Sequence, residues 1–329
     1  MAGAETNLGA MTTETRSGGP MGRSIALHGL AAALMFISPL VVFVPAAIIS
    51  SGLRNGRRGL WFSTILAAGL LAILFSAAET PAAYTPVARM LFEVGVPSAV
   101  GLELILRGLM FGPVLLAVLA ASFGGFAIVE VVMRSFASFS PYRGVVENFR
   151  SASQAQVEAY RTAGVPADAI SMMERVTETI ATSYMPAVLV IVAALMFALS
   201  FVMLPRLKSG RSLLPRFLFR NLSLPDALLF GFVLGGIAPL LKGIPRTLGF
   251  NVLAVVVVLF MLQGLAVFRY HQTRLRLGIL GTVLAILTLL LLTPYGVTPF
   301  GLFLIGLFDP FFDFRNFNRK EAPNESDSD

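Results

Sequence analysis

The stretch YMPAVLVIVAALMFALSFVML, residues 184–204, contains no charged residue and does not alternate between apolar and polar positions. Its length matches the roughly 20 residues that an α-helix needs to cross a bilayer. A helix satisfies its own backbone hydrogen bonds, which lipid cannot. A membrane β-barrel strand would instead alternate over a short segment. Leu277–Leu292 reads the same way.

Working outward, comparable apolar runs fall at 24–50, 60–78, 87–106, 108–130, 225–242 and 250–268, with a short one at 296–308. The expected fold class is all-α: a polytopic transmembrane helical bundle of about eight spans (seven to nine) with one extramembrane helical insert. Over the 329 residues, 56% are hydrophobic and only 13% charged, too few charges for a soluble chain of this size. Pro39 and Pro45 interrupt the first run, so it should be kinked or split into a hairpin.

The formal charge of +7 is carried mainly by short loops. Arg54, Arg57 and Arg58, then Arg107, then Arg206, Lys208, Arg211, Arg216 and Arg220, then Arg269, Arg274 and Arg276 fall on one side if each run crosses once. That side is the cytoplasm by the positive-inside rule. The expected location is a bacterial cytoplasmic (inner) membrane, with the lipid bilayer as first partner. Nothing clusters into a nucleic-acid-binding surface. With no cysteine and only His28 and His271, no metal site or cofactor is expected.

Residues 1–23 read as a disordered tail without a signal-peptide core, and 315–329 as a polar tail. Membrane helices are expected in 24–133 and 184–314. Between them, 134–183 carries five basic and five acidic residues. Ile170, Met173, Val176 and Ile180 there follow an amphipathic spacing, as in a helical hairpin lying at the membrane interface or acting as a docking arm.

Charges inside spans are costly and therefore candidates for function. Glu93 lies well inside the third run with only Arg89 one turn away. Glu103 and Arg107, four apart, are placed to pair. Asn251 and Gln263 are polar positions in the seventh run, able to hold a ligand or to bond neighbouring helices. No P-loop, HExxH or GxSxG occurs, and no catalytic residue is assigned.

Two resemblances add to this. Gly101-Leu-Glu103-Leu-Ile-Leu-Arg107-Gly108 resembles part of the first motif of CAAX-type intramembrane proteases, with Leu102 and Leu106 in place of its first Glu and its Phe. The later membrane histidines of that family are missing. More extensive is Gly306-Leu-Phe-Asp309-Pro-Phe-Phe-Asp313-Phe-Arg315, together with Asn251, Gln263-Gly264-Leu265-Ala266-Val267 and Leu224-Pro225-Asp226-Ala227-Leu228. These residues resemble the YybS-like family of uncharacterised bacterial membrane proteins. That family is distantly similar to the S components of energy-coupling-factor transporters and to MreD-like proteins. The resemblance implies a family motif at Asp309, Asp313 and Arg315, structural or ion-binding. It also implies transporter coupling subunits or other membrane proteins as partners.

The functional expectation is a non-enzymatic small-molecule-binding component of a transporter. Glu93, Glu103, Arg107, Asn251 and Gln263 are the candidate ligand contacts. The alternatives are a membrane scaffold linked to the cell envelope and an intramembrane protease-like protein.

Overall fold

The computed structural model describes residues 21–78, 80–207, 217–275 and 278–315. The expected tails, apart from residues 21–23 and Arg315, and loop residues Lys208, Arg211, Arg216 and Arg276 lie outside the described residues. Among the described residues the chain is all helical and has no strand. The α-helices are α1 (Met21–Phe36), α2 (Val44–Phe75), α3 (Thr85–Arg89), α4 (Val96–Leu106), α5 (Phe111–Ala137) and α6 (Pro141–Thr162). Then follow α7 (Ala167–Thr179), α8 (Met185–Met203), α9 (Ala227–Ile237), α10 (Ile244–Arg274), α11 (Ile279–Leu292) and α12 (Val297–Phe312).

Four helical stretches are long and apolar enough to cross a membrane: Pro39–Phe75, Phe111–Ala137, Ala167–Arg206 and Ile244–Arg274. A fifth arises if the pair Gly281–Leu292 and Val297–Phe312, bent by 108°, counts as one span. Eight separate spans are therefore not confirmed. The third run is one continuous helix: after a 3-10 turn at Pro81–Tyr84, α3, a π-helical turn at Met90–Gly95 and α4 follow without a break, with right-handed backbone at each junction. The sixth is cut to α9 and a 3-10 turn holding Pro239.

The first run does split near its prolines. Ser38 ends α1 by donating to the Met35 carbonyl (3.0 Å) and accepts from Leu40 N–H (3.2 Å), capping the 3-10 turn Pro39–Phe43. A second reversal follows in α2, at Gly56, whose φ of 73° suits a residue without a side chain. Ser51 Oγ donates to the Gly59 carbonyl at 3.0 Å. Residues eight apart in a straight helix lie about 12 Å apart, so the chain has doubled back. Asn55 donates to Ser24 Oγ (3.3 Å), which puts the start of α1 at the same end as Arg54, Arg57 and Arg58.

The insert is continuous with the helix that follows it. From Ala167 to Arg206, α7, a π-helical turn (Ile180–Tyr184), α8 and a 3-10 turn run on as one 40-residue helix. At 1.5 Å per residue this is about 60 Å, roughly twice the hydrocarbon thickness of a bilayer. α6 packs alongside α7 after a turn at Gly164 (φ 80°). Arg150 holds Glu178 (2.6 Å) and Arg161 holds Glu174 (3.1 Å), clamping the two helices along their length. The Glu178 carboxylate keeps the Arg150 guanidinium above its ordinary pKa. Of the expected apolar face, Ile170 is buried while Met173 and Val176 remain exposed.

The core centres on an aromatic cluster. Phe111 packs on Phe201 (5.4 Å between centroids) and Phe217 (5.1 Å), joining α5, α8 and the segment before α9.

Candidate functional site

The polar residues of the membrane helices fall into three groups. The first lies on the helix α3–α4. Arg89 Nε meets Glu93 Oε2 at 2.9 Å. A π-helical turn holds Glu93, and widened turns of this kind often mark functional sites. Three polar atoms of this segment are buried without a hydrogen-bond partner: Thr85 Oγ1, Glu93 Oε1 and Ser98 Oγ. Gly125 of α5 lies against the backbone here; a Cβ on it would sit 2.0 Å from the Phe92 carbonyl oxygen. Farther along, Glu103 accepts from Arg57 at 2.9 and 2.8 Å and from Arg107 at 3.1 Å. This network is largely solvent-exposed, Arg57 being 72% and Arg107 66% accessible, so it contributes little to stability.

The second group is Asn251. In a regular helix the Ala187 N–H would bond the Ser183 carbonyl. The π-helical turn and Pro186 interrupt that ladder. The Asn251 amide fills the gap, accepting from Ala187 N–H (2.9 Å) and donating to the Ser183 carbonyl (2.7 Å). It also donates to the Thr247 carbonyl on its own helix (2.7 Å). Asn251→Leu should therefore lower stability by about 1–2 kcal/mol, as two backbone groups lose their partner. Unfolding in mixed micelles would measure this, and an unchanged midpoint would show that the break is satisfied otherwise.

The third group joins residues that the sequence offered separately. Gln263 is fully buried. It accepts from Leu224 N–H (3.1 Å) and donates to Asp309 Oδ2 (2.8 Å). Arg315 donates to the same Oδ2 (2.5 Å) and to the carbonyls of Leu222 (2.7 Å) and Arg220 (3.2 Å). Asp309 and Arg315 expose only 4% and 2% of their side chains. Asp309 Oδ1 is buried with no hydrogen-bond partner. Asp313 is the left-handed cap of α12, its N–H donating to the Asp309 carbonyl at 2.9 Å. Thus α10, α12 and the segment before α9 are tied at one point.

A family model described as "Predicted membrane protein (DUF2232)" matches residues 25–310. The chain belongs to that family. The match takes in Glu93, Asn251, Gln263 and Asp309, and ends before Asp313 and Arg315. No curated protein and no solved structure matches the chain.

In this DUF2232 chain, several contacts had little signal in the sequence. Arg57 read only as a topology marker, yet it grips Glu103 across 46 positions. Glu130, near the end of α5, accepts from Ser140 Oγ (2.6 Å), Tyr142 N–H (2.9 Å) and Arg134, and so fixes the foot of the α6–α7 arm. Two Gly-x-x-x-Gly spacings differ in what they do. Gly108 is in the turn after α4 (φ 77°), and Gly112 abuts the Ser223 carbonyl, so these two form no common helix face. Gly231 and Gly235 share a face of α9: a Cβ on Gly235 would meet Leu253 N of α10 at 3.0 Å. Among the described residues, no group of His, Asp or Glu could hold a metal ion.

Proposed function

We propose that this chain is a non-enzymatic protein of the bacterial cytoplasmic membrane that binds a small polar molecule, as the solute-binding part of a transporter. One observation carries the reading: Thr85 Oγ1, Glu93 Oε1 and Ser98 Oγ are all buried without a partner within fourteen residues of one apolar helix that a π-helical turn widens. Native proteins pair such atoms, and exceptions mark a missing water, ion or ligand. An ionisable residue at membrane depth points the same way. Asn251 and Gln263, by contrast, spend their amides on helix contacts, and Glu103 and Arg107 on each other and Arg57. The ligand role therefore concentrates on Glu93.

The topology that fits this proposal places Arg23, Arg54, Arg57, Arg58, Arg107, Arg206 and Arg220 in the cytoplasm and the α6–α7 arm outside. Native mass spectrometry on protein extracted from its own membrane tests the binding. Wild type should carry a small-molecule mass that Glu93→Gln loses, with both proteins folded. Equal occupancy in the two would remove Glu93 from the site.

A second reading, a docking scaffold linked to the cell envelope, is favoured by the arm. A helix that continues rigidly to about twice the membrane thickness can present a surface far from the lipid. Met172, Met173 and Val176 are exposed on it. Deleting residues 140–180 should then abolish recovery of envelope or membrane partners. Unchanged recovery would sink this reading and leave the first intact.

A further inference from the structure

Thr85, Arg89 and Glu93 are spaced four and four along the chain. A regular helix turns about 100° per residue, so eight residues would carry Glu93 about 80° away from Thr85. The wider π-helical turn over Met90–Gly95 takes up most of that drift and keeps the three on one face. This face presents a hydroxyl, a guanidinium and a carboxylate in order. The carboxylate is the deepest of the charged pair: the Glu93 side chain is 15% exposed and that of Arg89 39%. Access is therefore from the Arg89 end.

Among the described residues, the surroundings supply no further charge at this level. On α2 the charged residues are Arg54, Arg57 and Arg58, six or more residues before Thr64, which a side chain on Gly95 would touch. On α5 the charged residues are Glu130 and Arg134, which bind each other and the foot of the arm. Glu103 and Arg107, farther along the same chain segment, are bound to each other and to Arg57. Among the described residues the site is thus one cation and one anion, net neutral, with buried unmatched acceptors beside them.

A charged solute entering such a place would leave an uncompensated charge near lipid, which is strongly disfavoured. A zwitterion would not. We propose that the Arg89–Glu93 pair recognises a zwitterionic, amino-acid-like solute: its ammonium group replaces Arg89 on Glu93, and its carboxylate takes the Arg89 guanidinium. Arginine suits the second contact because its planar fork matches a carboxylate. Glu93 Oε1 accepts a second ammonium hydrogen, and the Thr85 hydroxyl, beyond Arg89, is on the side of the carboxylate and can donate to it. This assignment rests on the reading of Glu93 as a binding residue.

The test is thermal unfolding of the full chain in lipid nanodiscs with three probe sets: the common neutral amino acids and β-alanine, simple alkylamines, and simple carboxylates. At least one zwitterion should raise the wild-type midpoint by a few degrees, with no rise from the amines or carboxylates. Arg89→Gln and Glu93→Gln should each abolish the rise while remaining folded without ligand. The double swap Arg89→Glu with Glu93→Arg should recover part of it, since a zwitterion can bind reversed. Stabilisation by alkylamines alone, lost in Glu93→Gln, would overturn the zwitterion class and keep Glu93 as a binding residue. A zwitterion effect equal in all variants, or no effect from any probe on wild type, would overturn the assignment.

Discussion

Replacing Arg315 by methionine is expected to destabilise the protein by about 3–5 kcal/mol, the usual consequence of stranding one member of a buried ion pair. Asp309 would keep only Gln263 on Oδ2 and nothing on Oδ1. The carbonyls of Arg220 and Leu222 would lose their donor in the same step. Arg315→Lys should fall between, because an ammonium on a flexible stem cannot reach Asp309 and both carbonyls together as the guanidinium fork does. The double variant Asp309→Leu with Arg315→Met should cost clearly less than the two single changes summed. Removing both charges removes the desolvation penalty that each leaves when alone. Unfolding of the four proteins in mixed micelles gives the coupling. If Arg315→Met lies within about 1 kcal/mol of wild type, the pair is hydrated in the membrane-embedded protein and is no staple.

The sequence could reveal this region only in part. Long uncharged runs fix a helical membrane protein because a bilayer leaves the backbone no other economical choice, and Pro39 with Pro45 shows where the first run must break. Arg315 and Asp309 are six apart, close enough to be suspected as partners from the motif alone. Gln263 and Asp309 are 46 apart, and Leu224 and Gln263 are 39 apart. No periodicity reports such meetings, because they follow from how whole helices pack. The count of eight spans is not confirmed, for a related reason. Hydropathy counts apolar residues, and it does not see the 108° bend that decides whether α11 and α12 make one span. At the arm, the amphipathic pattern from Ile170 leads into the span at Tyr184, and α7 continues into α8 because the π-helical turn absorbs the junction without ending the helix. At Glu93 the charge itself was visible. What the sequence could not show is that Oε1 is left buried and unmatched, since that depends on Gly125 bringing α5 up to the backbone.

Gly306→Ala is the second large effect, and its cause is backbone geometry. A Cβ on Gly306 would lie 1.8 Å from the Phe260 carbonyl oxygen and 2.8 Å from Gly264 N. The reciprocal Cβ on Gly264 would lie 1.9 Å from the Leu302 carbonyl oxygen. The obstacles are main-chain atoms, so no rotamer can relieve them, and α10 and α12 must separate. Gln263 precedes Gly264, and Asp309 is three residues past Gly306, so the same movement stretches the 2.8 Å bond between them. The expected loss is at least about 3 kcal/mol, the upper part of the range for overpacking, because the buried polar cluster loosens with the helices. Gly231→Ala is the control: its nearest neighbour would be the Val256 side chain at 3.5 Å, an ordinary contact. There the better helix propensity of alanine should leave stability unchanged or raised by up to about 1 kcal/mol. The cause can be separated from simple overpacking by combining Gly306→Ala with Gln263→Leu. If the glycine acts partly by holding Gln263 on Asp309, the combined loss falls below the sum of the two. If the losses add in full, the helices part without disturbing the cluster, and the close crossing and the buried ion pair are independent supports of this end of the protein.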